Sequence, residues 1–306
     1  MIKWLLGIPY EVAFWESEYA NKKEFASLMR FSHLGQPIHL DGFDVRAFLE
    51  NQKTPSEAKI LDVGCGMTFY PGDRVVINEE VCPINIHYVD PLAHYYNKIA
   101  FDHHVSVPKV EFGMMEYLSA FYPEHDVTLI IIQNALDHSA NPIKGILEAL
   151  KALKKEGVLY LNHHPNEAEY EQYRGFHQFN ICIENDELII WNGEQRFNVN
   201  EIVKDFARVE TKIVDENPVA IITKKADVPA ALLDYEQDIR TLSTALLDLT
   251  QEMNNPTKMR KYHRQFRYYR LVQRLSKLFS WQTRQNIKNL KKNLRYDKRK
   301  SKRYHR

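Results

Sequence analysis

The chain has few cysteines and no long apolar run. Its 306 residues include three cysteines, Cys65, Cys82 and Cys182, which form neither a dense disulfide framework nor a zinc-type spacing. The longest apolar run, at about 129–132, is far below the roughly 20 residues that a transmembrane helix needs. The opening segment is apolar only briefly and has no small-residue cleavage site. These absences predict a cytoplasmic protein with reduced thiols.

The chain is long enough for one enzyme-sized domain with an appendage, and its charge is strongly divided. Hydrophobic residues make up 44% of the sequence, and the formal net charge is +1. Residues 258–306 hold 19 lysines and arginines against one acid, Asp297, whereas residues 1–257 carry a net charge of −17. Such asymmetry predicts a polyanionic partner for the basic end or a solvated arm.

Apolar periodicity predicts an α/β core between two helical regions. Aromatic and aliphatic residues recur at helical spacing in the first fifty residues, which indicates an N-terminal helical lid over 1–57. Strands and helices then alternate, which is typical of a parallel sheet. The predicted strands cover 58–63, 86–89, 110–112, 127–132, 157–161, 187–191, 209–214 and 219–223, with helices over 142–155 and 200–206. The last two strands should form an antiparallel hairpin that closes the sheet.

The most specific local pattern is a strand that runs into a glycine turn, Lys59-Ile60-Leu61-Asp62-Val63-Gly64-Cys65-Gly66. Glycines allow the backbone to approach a ligand closely. A dinucleotide fingerprint would require a third glycine where this chain has Phe69, so NAD binding is disfavoured. A second strand ends at Asp90, 24 positions after Gly66. A carboxylate there can accept both hydroxyls of an adenosine ribose.

These elements resemble motifs one and two of class I S-adenosylmethionine (SAM)-dependent methyltransferases. The segment 129–142, with sequence LIIIQNALDHSANP, is similar to the fourth-strand motif of the type 11 branch, and the ordered set covers about 58–162. The resemblance implies a Rossmann-like, seven-stranded methyltransferase domain over 58–226. It also implies that Asp62, Gly64 and Gly66 hold the methionine end of SAM and that Asp90 binds the ribose.

Two further segments carry cofactor contacts that the resemblance implies. Residues 113–118 match the segment that flanks adenine, with Met114 and Met115 beside the ring. The family usually has an acid where this chain has Met114, so backbone groups would take over recognition of the adenine amino group. Gln133 and Asn134 match positions that line the methionine part of the cofactor.

Methyl transfer to a hydroxyl needs a base, and histidine is the usual one near neutral pH. His138 follows the fourth predicted strand, His164 follows the fifth, and His177 lies in an insertion that can cover an acceptor. We predict that one of these three is the base, and we favour His138. His163, His164, His177 and Glu169 could gather a divalent metal, but their spacing matches no defined zinc pattern. No metal is therefore expected.

The acceptor is less constrained by the sequence than the cofactor is. The insertion 162–191 is rich in rings and hydrogen-bonding groups, which suit a saccharide or lipid-linked glycan precursor. The chain is also similar to methyltransferases of bacterial surface-polysaccharide assembly. One alternative is a nucleic-acid methyltransferase that uses the basic tail. Against it, the chain has Asn134-Ala135-Leu136-Asp137 in place of an Asn-Pro-Pro-aromatic turn. A scaffold with a vestigial SAM site is the other alternative.

The C-terminal region is predicted to be helical and to bind a surface. Apolar residues over 227–257 alternate steps of three and four, which indicates a heptad helix that could pair two chains in a homodimer or dock on the core. In 258–306, an apolar stripe lies between arginines and lysines. Such a helix can rest on an anionic membrane surface, here the inner face, and the same charges could bind nucleic acid.

Overall fold

A computed structural model of the chain describes residues 2–20, 25, 29, 32–52, 58–77, 79–123 and 125–233. The chain divides into two units, residues 1–246 and 247–306, and everything described lies in the first unit. The predicted basic tail and all but the start of the predicted heptad helix lie outside the described residues. Within the described ranges, no helix has the length and apolar character needed to cross a membrane.

The described residues form strands and short helices in the alternation that the sequence predicts. The strands are β1 Lys59–Val63, β2 Arg74–Ile77, β3 Glu80–Pro83, β4 Asn85–Asp90, β5 Glu111–Phe112, β6 Val127–Gln133, β7 Leu153–Asn162, β8 Asn180–Glu184, β9 Glu187–Trp191, β10 Arg196–Asn198, β11 Ala207–Val214 and β12 Asn217–Lys224. The helices are α1 Ile2–Ala20, α2 Val45–Glu50, α3 Ala93–Asp102, α4 Pro142–Ala152, α5 Glu167–Tyr170 and α6 Val199–Val203.

The central sheet has seven strands in the order β11-β12-β7-β6-β1-β4-β5. Five adjacent strands, β7, β6, β1, β4 and β5, run parallel to one another. Strand β12 pairs antiparallel with both β7 and β11. The predicted seven-stranded, Rossmann-like sheet and its closing hairpin are therefore confirmed. The strand order reverses beside β1, and in open α/β sheets ligands bind outside the carboxyl ends of the strands at such a point.

The sheet is covered on both faces, which explains why its central strands are almost continuously apolar. Residues of β6 alternate between two buried clusters: Ile130 and Ile132 pack with α4, whereas Leu129 and Ile131 pack with α2. Helix α4 begins with an N-cap at Asn141, whose side chain accepts a hydrogen bond from the Lys144 amide. The β6 to α4 connection is thus fixed at both ends.

Several elements differ from the sequence predictions. The strand predicted at 187–191 belongs to a separate antiparallel sheet with β8 and β10, both of which the sequence analysis missed. The turn between β8 and β9 is Asn185-Asp186, and both residues have positive φ, as hairpin turns require. The β2–β3 hairpin was also missed. The helix predicted over 142–155 stops at Ala152, because Leu153 already pairs with Val127 at the start of β7.

Candidate functional site

A cavity of about 430 Å³ opens at the carboxyl ends of β1, β4, β6 and β7. Its two sides are built from different elements. The side that we call the glycine wall comes from the turns after β1 and β4 and comprises Gly64, Gly66 and Asp90. The side that we call the histidine wall comes from the turns after β6 and β7 and from the following insertion, and comprises His138, His164 and Phe176.

The glycine wall depends on a backbone conformation that favours glycine. Gly64 and Gly66 have φ of 71° and 53°, in the left-handed region. A Cβ on Gly64 would overlap the Ala135 methyl group, and one on Gly66 would lie 2.8 Å from the Trp15 ring. The two walls meet at the Gly64–Ala135 contact. The turn therefore brings bare backbone to the cavity surface, as its sequence predicts.

Asp90 is buried, and each of its carboxylate oxygens accepts a backbone hydrogen bond. Oδ1 accepts from the Leu92 amide at 2.8 Å, and Oδ2 accepts from the Gly66 amide at 3.3 Å. Burial raises the pKa of Asp90 to about 7. Asp62 lies beneath the turn and does not line the cavity; burial, with the nearby charge of Asp90, raises the pKa of Asp62 to about 8. Two buried carboxylates side by side favour a positive charge next to them.

The cavity lining is rich in acidic side chains. Its ionisable lining includes the carboxyl groups of Glu11, Asp41, Asp90 and Glu116, and among the described residues no lysine or arginine lines it. Glu116 is buried, and its Oε1 accepts hydrogen bonds from the Ala140 and Asn141 amides. A cavity of this composition favours a cationic ligand and disfavours the phosphates of a dinucleotide.

The remaining predicted cofactor residues are divided between the cavity and its surroundings. Met115, Gln133 and Asn134 line the cavity, and Met114 does not. The Oε1 atom of Gln133 is buried and has no hydrogen-bond partner among the described residues. Asn134 has φ of 48°, and its Oδ1 accepts a hydrogen bond from the His164 amide at 2.9 Å. Gln133 therefore offers an acceptor for a ligand donor group.

Helix α1 contributes one side of the cavity. Trp4, Glu11 and Trp15 line the cavity from this helix. The Trp4 ring stacks on Phe176 with centroids 5.5 Å apart, and Trp15 meets Tyr96 of α3 edge-on at 5.9 Å. These aromatic contacts pack the helix against Phe176 of the histidine wall and Tyr96 of α3.

At the histidine wall, His138 meets two further side chains, and the three come from two segments of the chain. His138 and Asp137 lie in a short 3-10 turn after β6, and His177 lies in the insertion. The His177 Nδ1 atom is 2.9 Å from Asp137 Oδ2 and 3.0 Å from His138 Nε2. The His138 Nε2 atom is 3.4 Å from the same carboxylate oxygen. We call Asp137, His138 and His177 the imidazole cluster.

The cluster contains a buried, ionised carboxyl group. Burial alone would raise the pKa of Asp137, but His138, His177 and His163 outweigh it and lower that pKa to about 2. Burial works against the charged form of His177, and the hydrogen bond to Asp137 overcomes it and raises the pKa of His177. Burial lowers the pKa of His163 to about 4, so this neighbour is neutral near pH 7.

The three predicted base candidates occupy different places. His138 and His164 line the cavity, and His177 lies beside it as a partner of His138. His164 Nδ1 is 3.1 Å from Asn217 Oδ1. The set of possible metal ligands that was considered and disfavoured from the sequence does not come together among the described residues. The structure combines His177 with Asp137 and His138, whereas His163, His164 and Glu169 do not join that group.

The aromatic insertion is mostly structural. Phe179 is buried in the main core, and Trp191 donates from Nε1 to Asn166 Oδ1 at 3.2 Å in the second sheet. Within the insertion 162–191, Asn162, His164 and Phe176 line the cavity. Other residues that line the cavity come from distant segments, and no sequence pattern indicated their role. They include Glu11, Asp41, Tyr70, Tyr96 and Asn217.

Comparisons with solved structures find similar proteins that are described as SAM-dependent methyltransferases. One from Aquifex aeolicus matches with 14% identity and a TM-score of 0.34, over 55% of this chain and 82% of its own. One from Methanosarcina mazei matches with 15% identity and a TM-score of 0.32, over 61% of this chain and 100% of its own.

A third similar structure is a 16S rRNA methyltransferase from T. thermophilus in complex with AdoMet and guanosine. It has 12% identity and a TM-score of 0.32, over 63% of this chain and 42% of its own. No protein-family model matches the chain, and no curated protein matches it.

Proposed function

We propose that the chain binds SAM in this cavity and catalyses transfer of its methyl group to a hydroxyl-bearing acceptor. The observation that carries the proposal is the acidic lining of the cavity, without lysine or arginine among the described residues. SAM carries a sulfonium and an ammonium group, so carboxylates attract it. NAD carries two phosphates, and these carboxylates would repel them.

The cavity residues match the parts of SAM that each would hold. Asp90 keeps acceptor capacity after two backbone hydrogen bonds, because a carboxylate has about four lone-pair sites. It can therefore accept from the ribose hydroxyls. The unpartnered Oε1 of Gln133 can accept from the ammonium group. The bare backbone of Gly64 and Gly66 leaves room for the methionine end, and Met115 offers an apolar surface for adenine.

When bound, SAM supplies a methyl group on a positively charged sulfur. An acceptor oxygen forms a bond to the methyl carbon as the carbon–sulfur bond breaks, and the hydroxyl proton must leave the oxygen. We assign proton removal to the imidazole cluster, in which His138 is the member that lines the cavity. Helix α1 limits the access of water to the reacting groups.

The histidine wall supports a polar acceptor, of which a saccharide or lipid-linked glycan precursor is the one we favour. Phe176 offers a ring face, while His164, Asn162 and Asn217 offer hydrogen-bonding groups on the same cavity. Sugars present both C–H faces and hydroxyls, and this combination suits them. A nucleic-acid acceptor receives less support, because the described cavity lacks the basic groups that would bind a phosphate backbone.

The basic tail adds a proposal about location. We propose that residues 258–306, with 19 basic residues against one acid, hold the enzyme reversibly at an anionic membrane face, where a lipid-linked acceptor would be reached. Vesicle co-sedimentation of the whole chain and of a chain that ends at Asn255 tests this proposal. Equal sedimentation of the two chains would contradict it.

Calorimetry on the full chain tests the cofactor proposal. We expect SAM and S-adenosylhomocysteine to bind and NAD not to bind. Labelled SAM, incubated with the chain and a fractionated cell extract, should then transfer label to a fraction that glycosidases degrade and nucleases do not. A folded chain that binds no SAM would contradict the proposed function. Label that nucleases release would contradict the saccharide acceptor alone.

A further inference from the structure

The geometry of the imidazole cluster is unusual for hydrogen bonding. Three ligand-type atoms, Asp137 Oδ2, His138 Nε2 and His177 Nδ1, lie 2.9, 3.0 and 3.4 Å from one another. Each atom is therefore within reach of both others. Ordinary side-chain hydrogen bonds join atoms in pairs, whereas this arrangement is a closed triangle.

Counting protons shows why the triangle is difficult to satisfy without a cation. If His138 Nε2 and His177 Nδ1 both carry protons, His177 can donate to Asp137 Oδ2, but the 3.0 Å contact between the two nitrogens then has no acceptor. If one nitrogen carries a proton, that proton must serve both remaining acceptors. If neither does, three lone pairs converge. A positive ion at the centre satisfies all three atoms together.

We propose that Asp137, His138 and His177 bind one divalent transition-metal ion. Two ligand atoms at ~2.0–2.1 Å from one zinc ion are about 3.3 Å apart in tetrahedral geometry and about 2.9 Å apart at a right angle. The three observed separations, from 2.9 to 3.4 Å, cover the same interval. Two imidazoles and one carboxylate form a donor set that suits zinc, iron, copper or nickel and not magnesium or calcium.

The fold fixes these ligands by contacts outside the triangle. The Gln178 amide donates to the Asp137 carbonyl at 3.0 Å, and the His177 amide donates to the Arg174 carbonyl at 3.1 Å. These backbone bonds hold the insertion against the turn after β6. A metal site needs such supporting contacts, because they hold the ligand atoms close together in the absence of the ion.

Burial and access both suit a site with an open position. The Asp137 side chain is 4% exposed, whereas those of His138 and His177 are 24% and 21% exposed. A further ligand can therefore approach from the imidazole side, where His138 also lines the cavity. Asp137 Oδ1 and both ring nitrogens of His163 are buried without hydrogen-bond partners among the described residues. These groups are available to orient a metal-bound water or hydroxyl.

The site would explain how an acceptor is activated, and this consequence rests on the proposed function. A divalent cation held here would lower the pKa of a hydroxyl group bound at its open position, and the released proton would pass to solvent water before the oxygen bonds to the methyl carbon. The imidazole cluster would then act through the metal rather than through a free histidine nitrogen. Binding of the metal itself does not depend on SAM or on any acceptor.

The test is metal binding by the full chain after treatment with a chelator. We expect zinc to bind at one ion per chain, measured by calorimetry and elemental analysis, and cobalt to give ligand-field absorption. His177→Ala and the nearly isosteric Asp137→Asn should each weaken zinc binding at least about 100-fold, beyond the 10- to 100-fold typical of an outer-shell change. His94→Ala, an exposed histidine on α3, should bind zinc as the wild type does.

Binding of SAM to each variant reports whether the cavity is still folded. A variant that keeps SAM binding and loses zinc supports the proposal. A wild type that binds SAM but no zinc overturns it and shows a hydrogen-bonded triad instead. Unchanged zinc affinity in His177→Ala and Asp137→Asn would also overturn it, because the ion would then lie elsewhere on this histidine-containing chain. A chain that binds zinc and no SAM would contradict the proposed function alone.

Discussion

The glycine wall and the histidine wall line one cavity but are built by different means. The glycine wall comes from two neighbouring strand ends, and its contacts, such as Gly66 to Asp90, lie within 24 residues of each other. The histidine wall and the imidazole cluster beside it form only when the insertion folds back on the turn after β6, because Asp137 and His177 are 40 positions apart. One wall is acidic and the other is rich in imidazole. We infer that the first holds the cofactor and the second carries the chemistry.

Replacing His138 with alanine should give the largest effect on turnover and should distinguish the roles of the two walls most clearly. We expect turnover to fall about 10²- to 10⁴-fold, because His138 is the cluster member that lines the cavity. Affinity for SAM should remain nearly intact, since no glycine-wall contact involves His138. Steady-state kinetics and calorimetry on the same preparation measure both quantities. Near wild-type turnover in His138→Ala, His164→Ala and His177→Ala would contradict the inference that the histidine wall carries the chemistry.

The second prediction tests whether the glycine wall depends on bare backbone. Gly64→Ala must adopt the left-handed conformation and overlap the Ala135 methyl group. Strain of about 1–2 kcal/mol and overpacking of about 1–3 kcal/mol should together lower the free energy of unfolding by about 2–5 kcal/mol, measured by urea denaturation.

Gly193→Ala is the matched control for that substitution. A Cβ on Gly193 meets no atom within 4 Å, and Gly193 is not among the positive-φ glycines. We expect its stability to stay near that of the wild type. Equal losses in both variants would mean that the turn at Gly64 tolerates a side chain, and the close approach of the two walls would then have no structural importance.

The contrast between the walls also explains what the sequence could predict. The strand over 59–63, its glycine turn and Asp90 were predictable because burial and backbone conformation are recorded in short runs of adjacent residues. The hairpin of β11 and β12 was predictable for the same reason, with its turn at 215–216. In each case a local physical requirement leaves a local pattern.

The histidine wall left no such local pattern. His138 was a candidate because it follows β6, but its pairing with His177 depends on the Gln178 amide bond to the Asp137 carbonyl. Nothing in the spacing of these residues predicts that bond. Rings in the insertion 162–191 indicated an acceptor site, yet Phe179 is buried in the core and the half-buried Trp191 is hydrogen-bonded to Asn166. Composition cannot distinguish a buried ring from a ligand contact.

Asp90→Ala is the third prediction and tests the glycine wall as a cofactor site. Loss of a charge-assisted contact to the ribose should cost about 1.5–3 kcal/mol, or roughly 10- to 150-fold in affinity for SAM. S-adenosylhomocysteine should weaken similarly, because both ligands share the ribose. Calorimetry measures both. Asp205→Ala removes an exposed carboxylate and should leave affinity unchanged; a loss equal to that of Asp90→Ala would point to net charge instead of a ribose contact.

The smallest effect we predict is a pH dependence that belongs to the glycine wall alone. The folded pKa values of Asp90 and Asp62 are raised to about 7 and about 8, chiefly by burial. Without ligand, this contribution to stability is fully present below the unfolded pKa near 4 and is lost as the pH rises through the folded values. A cationic ligand binds the ionised form and releases a proton, so SAM affinity should rise about tenfold from pH 6 to pH 8.

The groups that face Asp90 determine how this pH profile should be interpreted. Asp62 lies on β1, Glu11 reaches the pocket from α1, and Tyr96 packs from α3. The side chain in Asp90→Asn is uncharged at every pH, so the SAM affinity of this variant should change less with pH. Only the contribution of Asp62 should remain. His138→Ala should keep the full dependence, because the histidine wall does not hold the cofactor. If His138→Ala flattened the profile and Asp90→Asn did not, the proton release would come from the imidazole cluster, and the assignment of the two walls would be reversed.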